Sequence, residues 1–223
     1  MSDVKSHVSD ETKRAIRKTA VISVIAIFVL VLAFFWKITQ PRALRISEMQ
    51  SNGLMYFETP REVLPFELMD EDGQVFTRED LVGKWTMIFP GFTHCPDICP
   101  TTMAQLSQMW GYLDENPKED LQVIMLSVDP NRDTVEILNQ YVNYFNQDFI
   151  GLTGDLGTIA DLAAQLNIAF DIINPDNAAD DYDVAHSANI VLVNPAGNYQ
   201  GFFRPPFDPA ILKLNYQSVW VQN

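Results

Sequence analysis

Gly91-Phe92-Thr93-His94-Cys95-Pro96-Asp97-Ile98-Cys99-Pro100 holds both cysteines of a 223-residue chain. An apolar run, residues 85–89, leads into this stretch, and a run with helical spacing, residues 101–113, leads out of it. A strand that delivers a cysteine pair to the start of a helix puts the thiols where backbone N–H groups and the helix dipole stabilise thiolate. Two cysteines cannot staple a domain of this size, so local chemistry is the reason for their presence. At a spacing of four, their sulfurs can come close enough for a disulfide or for one soft metal ion. Two thiolates alone leave a metal under-coordinated, and the other soft donors are His7, His94 and His186. His7 precedes a long apolar segment, and His94 adjoins Cys95 with a chain direction that turns it elsewhere. His186 lies far along the chain in Asp183-Val184-Ala185-His186-Ser187, where it begins the hairpin that follows an acidic loop. Taken alone, a histidine is more often structural than ligating.

Around the cysteines the pattern alternates between strand and helix. Upstream, residues 66–70 and 71–76 read as a β-hairpin across an Asp-Gly turn. Downstream, the spacing predicts a helix over 100–113 with Pro100 at its first position, where a missing N–H costs nothing; residues 95–99 then form the loop before it. Residues 123–128 are a continuous apolar strand, of the kind buried on both faces. Asp129-Pro130-Asn131 turns the chain, Asp133 or Thr134 caps, and a second helix covers 135–145. A short strand at 149–152 precedes a third helix at 155–166, with Leu156, Ile159, Ala160, Ala163 and Leu166 on one face. Strand-like residues 169–173 enter an acidic loop, 174–183. Residues 187–193 and 199–203 then make a hairpin, and Asp208 caps a last helix with Pro209 at its first position. Such an order specifies an α/β domain of three layers.

The apolar fraction of 47% is that of a globular chain, and the net charge of −14 argues against nucleic acid as a partner. Eight of the fifteen basic residues but only three of the acidic ones precede Ile46. Residues 20–36 carry no charge; at about 1.5 Å per residue they reach roughly 26 Å, which Lys18 and Lys37 can extend by snorkelling. No small-residue cleavage site follows, so this segment reads as an uncleaved anchor. Five basic residues before the span against three just after it put the N-terminus in the cytoplasm. The acidic residues Asp3, Asp10 and Glu11 argue against a transit peptide, which favours a bacterial inner membrane with a periplasmic, oxidising environment for the cysteines. The expected organisation is a cytoplasmic tail (1–19), a single transmembrane helix (20–36), a tether (37–60) and one domain (61–223).

The cysteine stretch resembles the signature of the Sco family (SCO1/SenC), membrane-tethered copper proteins with a thioredoxin-like fold. The similarity runs through most of residues 62–221. It includes Phe66-Glu67-Leu68 with its Asp-Gly turn, Ser127-Val128-Asp129-Pro130 with Arg132-Asp133-Thr134, and the Asp181-to-Ser187 segment that holds His186. The resemblance implies a thioredoxin-like three-layer α/β/α domain behind an N-terminal transmembrane helix, with copper, Cu(I) or Cu(II), held by Cys95, Cys99 and His186. It implies a metallochaperone, not an enzyme, that assists assembly of the CuA centre of cytochrome c oxidase. Its partners would be a copper donor protein and the copper-receiving subunit of a haem-copper oxidase. Two departures stand out: Ala185 replaces the acidic residue usual before the histidine, and Pro90 replaces an aromatic or small residue. The donor set is chemically apt, because two thiolates and an imidazole suit Cu(I), which accepts three-coordination. Structural zinc normally takes a fourth protein ligand.

A second reading from the same pair is a periplasmic thiol-disulfide oxidoreductase that reduces a partner's cysteines, with Cys95 attacking. A peroxidase would need a lone peroxidatic cysteine with an arginine beside it, and no arginine is near this motif in the sequence. Asp180, Asp181 and Asp183 read as a solvated acidic loop, and Met103 and Met109 as core.

Overall fold

The computed structural model describes residues 10–39, 43–173 and 182–222. The chain divides into two units, Met1–Arg42 and Ala43–Asn223. In the first, helix α1 (Asp10–Thr39) is long and apolar enough to cross a membrane over Thr12–Lys37. Those 26 residues reach about 39 Å at 1.5 Å per residue, more than the roughly 30 Å of a hydrocarbon layer. The helix therefore extends past both ends of the uncharged stretch, carrying Arg14, Arg17 and Lys18 within it.

The second unit is built on a six-stranded sheet in the order β1-β10-β9-β4-β5-β6. Its centre is β4 (Trp85–Gly91), parallel to β5 (Leu121–Ser127), which is in turn parallel to β6 (Ile150–Leu152). On the other side of β4 lie β9 (Ile190–Val193), β10 (Asn198–Phe203) and β1 (Leu54–Glu62), each antiparallel to its neighbour. The continuous apolar runs of β4 and β5 are explained by cover on both faces. Met87, Phe89, Val123 and Met125 turn to one side, against α3 (Ile98–Gly111), α5 (Val135–Phe145) and α7 (Pro209–Gln222). Ile88, Ile124 and Leu126 turn to the other, against α6 (Leu156–Gln165) and the hairpin of β2 (Glu67–Met69) and β3 (Val75–Thr77). This is the three-layer arrangement that the alternation of elements specifies.

Several expectations change in detail. The stretch read as a tether contains α2 (Ile46–Ser51) and most of β1, with Met49 and Leu54 buried in the core. Its β-character is hidden because only Leu54 of β1 is fully buried, so no alternation marks the strand. β4 continues through Pro90; β9 pairs only with Thr86, Met87 and Ile88, so the residue without an N–H sits beyond that ladder. α6 buries Ile159, Leu162 and Ala163, whereas Leu156 and Ala160 are exposed. A short helix, α4 (Glu115–Glu119), follows α3 and was not anticipated. The largest topological change concerns His186. It ends β8 (Asp183–His186), which pairs with β7 (Phe170–Ile173) in a separate two-stranded ribbon, and it does not begin the β9–β10 hairpin. Residues 174–181 of the acidic loop, with Asp180 and Asp181, lie outside the described residues, as do residues 1–9 of the N-terminal tail, His7 among them.

Candidate metal centre

Helix α3 starts at Ile98, two residues before the position predicted from Pro100. Cys99 and Pro100 are therefore in its first turn, where the N–H groups have no intrahelical acceptor and proline is tolerated. One of these free donors is used locally: the Cys99 N–H reaches the sulfur of Cys95 at 3.4 Å. Cys95 is half-buried, and Cys99 is sealed from solvent. Burial pushes the Cys99 thiol well above its ordinary pKa, and the neighbouring Cys95 adds to the shift. The end of β4 is shaped around this sulfur. A Cβ on Gly91 would stand 3.2 Å from Cys99 Sγ, 3.0 Å from the Phe89 ring and 3.3 Å from Met125 Cε.

The loop between β4 and α3 is fastened by Asp133, which is fully buried. Its carboxylate accepts from Thr93 Oγ1 at 2.6 Å, from the Thr93 N–H at 3.1 Å and from Ser127 Oγ at 2.6 Å. Burial raises its pKa, and the Ser127 and Thr93 hydrogen bonds oppose that rise. Thr134, not Asp133, caps α5 through Ile137 N–H. Of the two caps that the sequence offered, Thr134 takes the helix end, and Asp133 instead ties the cysteine loop to the end of β5.

His186 arrives from the ribbon, in register with Phe170. Its ring meets Phe92 and Phe89 edge-on at centroid distances of 5.8 and 6.1 Å. Nδ1 lies 3.0 Å from the Ser187 carbonyl oxygen. A carbonyl only accepts, so that contact places the proton on Nδ1 and leaves the Nε2 lone pair facing Cys99 Sγ, 3.5 Å away. Burial holds the imidazole below its ordinary pKa and keeps it neutral, with the Ser187 contact opposing. The orientation that an acidic neighbour would supply is provided here by a backbone carbonyl. Ala185 points to the opposite face of the strand and is exposed.

A second buried group anchors the ribbon. Asp129 is fully buried, pairs with Arg132, and accepts from Tyr182 Oη at 2.6 Å. Arg132 also donates through Nη1 to the Tyr182 carbonyl at 3.1 Å and lies over the Tyr182 ring at 3.9 Å. Its guanidinium stands 5.7 Å from the Phe92 ring centroid, so the fold brings to the motif an arginine that its linear neighbourhood lacks. The sequence reading assigned no role at the centre to Asp129, Arg132 or Tyr182. Asp129 was read as part of a turn, and all three entered otherwise only as members of segments shared with the family.

The structure brings Cys95 Sγ, Cys99 Sγ and a ring nitrogen of His186 within 4.8 Å of one another. Metal–donor bonds of about 2.0–2.3 Å place the donors of a three-coordinate ion about 4 Å apart, so small movements would close this set on a metal. His94 is exposed and stands 3.2 Å from Thr93 Oγ1 through Nδ1, outside the cluster. Asp183 is exposed and bonded to its own neighbour's N–H, that of Val184. Among the described residues no fourth His, Cys, Asp or Glu joins the three.

A strand-to-helix cysteine pair, faced by an imidazole from a separate ribbon, defines a thioredoxin-like protein with a soft-metal donor set. The SCO1/SenC family model matches residues 56–219, and the chain belongs to that family. It is 40% identical over 149 residues to a Stutzerimonas stutzeri protein named for copper binding, covering 66% of this chain and 72% of that one. The crystal structure of Arabidopsis thaliana ScoI with copper bound is similar at 34% identity and a TM-score of 0.64, over 71% of this chain and 98% of that chain. Bradyrhizobium japonicum ScoI with copper bound gives 30% and 0.63, over 69% and 96%.

Proposed function

We propose that this protein carries copper on Cys95, Cys99 and His186 and passes it to the CuA centre of cytochrome c oxidase during assembly. The observation that carries this reading is the meeting of two thiols and a neutral imidazole within 4.8 Å. The family membership and the copper-bound relatives support the choice of metal. Two sulfurs and one imidazole nitrogen favour Cu(I) over harder ions, and a three-donor set leaves room for an incoming ligand from the acceptor. Cys95, the more exposed of the two sulfurs, is the one that a partner's thiolate can approach. Copper enters as cargo: the thiols lose two protons, and the neutral imidazole contributes its Nε2 lone pair. The partners in this reading are a copper donor protein and the copper-receiving subunit of a haem-copper oxidase. The domain faces the periplasm, held at the inner membrane by the apolar helix within residues 1–42.

The test is a Cu(I) titration of the reduced, detergent-solubilised full chain against a competing chelator, for wild type and His186→Ala. One-to-one binding in the wild type, weakened at least about tenfold in the variant, is the expected result. Equal binding in both would remove His186 from the ligand set. Absence of tight binding in the wild type would overturn the copper reading.

The same pair supports a second role, reduction of the acceptor's cysteines before metal insertion. The observation favouring it is the contrast between a half-buried Cys95, which accepts a helix N–H, and a sealed Cys99. That asymmetry suits an attacking and a resolving sulfur. Thiol exchange needs no imidazole, so a His186→Ala protein that still reduces a model disulfide at the wild-type rate separates the two roles.

A further inference from the structure

His186 is held from two directions, and the two holds do different things. From its own chain, the Ser187 carbonyl oxygen stands 3.0 Å from Nδ1. That contact sets the tautomer. Ser187 is the next residue, however, so the contact travels with the ribbon and does not fix the ring relative to the sulfurs. The ribbon itself is thinly packed around the imidazole, with Val184 buried and Asp183 and Ala185 exposed.

From the cysteine side the imidazole meets two phenyl rings. Phe92 stands at a centroid distance of 5.8 Å with the ring planes at 87°, and Phe89 at 6.1 Å and 75°. Both phenylalanines are buried; Phe89 belongs to β4, and Phe92 is the first residue after it. Rings crossing near a right angle at this separation attract each other beyond the area they bury. Phe92 is the more telling of the two, because it reaches both sides of the centre. Its carbonyl oxygen accepts the Cys95 N–H at 3.2 Å. Its ring lies 5.7 Å below the Arg132 guanidinium, which also covers the Tyr182 ring at 3.9 Å. A cation over a ring face adds a further attraction. One residue therefore joins the backbone of a donor cysteine, the imidazole, and the arginine that anchors the ribbon.

A metal–nitrogen bond forms only along the nitrogen lone pair, so an imidazole free to swing about its side-chain bonds loses much of its worth as a ligand. Here Nε2 faces Cys99 Sγ at 3.5 Å. We propose that Phe92 is a positioning residue for the third metal donor: its ring, braced by Arg132, holds the imidazole of His186 with Nε2 turned to the sulfurs. The inference rests on the copper reading above and adds to it a residue that donates nothing to the metal. The effect of Phe92 on affinity must then run through His186. Losing the ring leaves all three donors in the chain and removes the constraint that brings the imidazole to bear.

The test is a double-mutant cycle on the reduced, detergent-solubilised full chain. Wild type, Phe92→Leu, His186→Ala and the combined variant are each titrated with Cu(I) against a competing chelator. Phe92→Leu drops the ring and keeps most of the apolar bulk; Phe92→Met does the same with a more adaptable side chain and takes its place if the leucine variant does not fold. Phe92→Leu should weaken Cu(I) binding about tenfold when His186 is present. In the His186→Ala background it should change affinity by less than about twofold. With Cu(II), the imidazole nitrogen coupling in the electron paramagnetic resonance spectrum should broaden or disappear in Phe92→Leu, while the sulfur-to-copper charge-transfer absorption persists. Equal losses in the two backgrounds would overturn the inference, by assigning Phe92 to the cysteine loop or to packing at large. Unchanged affinity and nitrogen coupling in the single variant would overturn it as well, and either result leaves the copper function intact. A wild type that binds no Cu(I) would overturn the function itself, and the inference with it.

Discussion

Cys95 and Cys99 stand where the central strand of the main sheet meets a long helix, whereas His186 stands on a two-stranded ribbon outside that sheet. The cysteine side is continuous with the core, since Phe89, Cys99, Met103 and Met125 are all fully buried. On the ribbon only Val184 is buried, and Asp171, Ile173, Asp183 and Ala185 are exposed. The ribbon reaches the core through Val184, with Phe170 and Ile172 packed beside it, and is fixed there by a few specific polar groups: Asp129, Arg132 and Tyr182, with the Ser187 N–H donating to the Ala169 carbonyl at 2.8 Å. The difference teaches how one centre can be both preformed and able to release its cargo. Two donors are fixed by bulk packing, and the third is attached by a small polar clamp.

The sharpest way to break this comparison is to remove the clamp. Asp129→Ala leaves the Arg132 charge without its partner and the Tyr182 hydroxyl without its acceptor in a largely buried place. Removing one member of such a pair costs about 3 kcal/mol. Urea denaturation of the reduced protein should register that loss, and amides of β7 and β8 should exchange faster than those of β4 and β5. Tyr182→Phe, which removes a single hydrogen bond, should cost about 1 kcal/mol and affect the same ribbon amides. A loss below about 1 kcal/mol for Asp129→Ala, with ribbon exchange unchanged, would show that the ribbon is held by something else.

The opposite side of the comparison is tested at Gly91. An alanine there presses on Cys99 Sγ, on the Phe89 ring and on Met125, all within 3.3 Å of the added carbon. Overpacking at this density costs about 1–2 kcal/mol. Because the strain is shared by the core and a donor sulfur, global stability and Cu(I) affinity should fall together in Gly91→Ala. That coupling is absent from the ribbon variants, where affinity should fall further than core exchange protection. Full retention of both properties would mean that the strand end is loose, and the distinction between a rigid and a clamped side would fail.

The same asymmetry governs how much could be read from sequence. The cysteine side was legible because its signals are contiguous: an apolar run, a cysteine pair, prolines and a helical period within thirty residues. The layers followed from the alternation of elements, and helix α5 lies where its spacing put it. The histidine side was not legible from spacing, because His186 is eighty-seven residues from Cys99 and a single histidine carries no periodic signal. Only the resemblance paired it with the cysteines. The ribbon was misassigned because Ile190–Val193, a strand of the main sheet, follows it so closely that the two read as one hairpin arm. Asp129 and Asp133 were invisible for another reason. Asp and Pro beside a helix start signal a turn or a cap. Neither pattern says that the side chain reaches Tyr182 beside the ribbon or Thr93 in the cysteine loop. β1 was missed because an edge strand with one fully buried residue has no alternation to detect.

The smallest expected effect separates the two sides by the sign of a proton linkage in the metal-free protein. Burial lowers the pKa of His186, on the ribbon, and raises that of Asp133, beside the cysteine loop. As pH falls through the ordinary imidazole range near 6.5, the unfolded chain takes up a proton that folded His186 refuses. Stability must then decline toward acid over that window, and His186→Gln should flatten the decline. Asp133 acts in the other direction. As pH rises through the ordinary carboxylate range near 4, the unfolded carboxyl releases its proton before the buried one does, and stability declines toward neutral pH. Asp133→Asn should flatten that limb and leave the imidazole limb intact. Denaturation midpoints measured from about pH 4 to pH 8 in the presence of a chelator distinguish the two limbs. If His186→Gln leaves the slope around pH 6.5 unaltered, the imidazole is solvated in the empty protein. The ribbon would then stand open until copper draws Nε2 and the two sulfurs together.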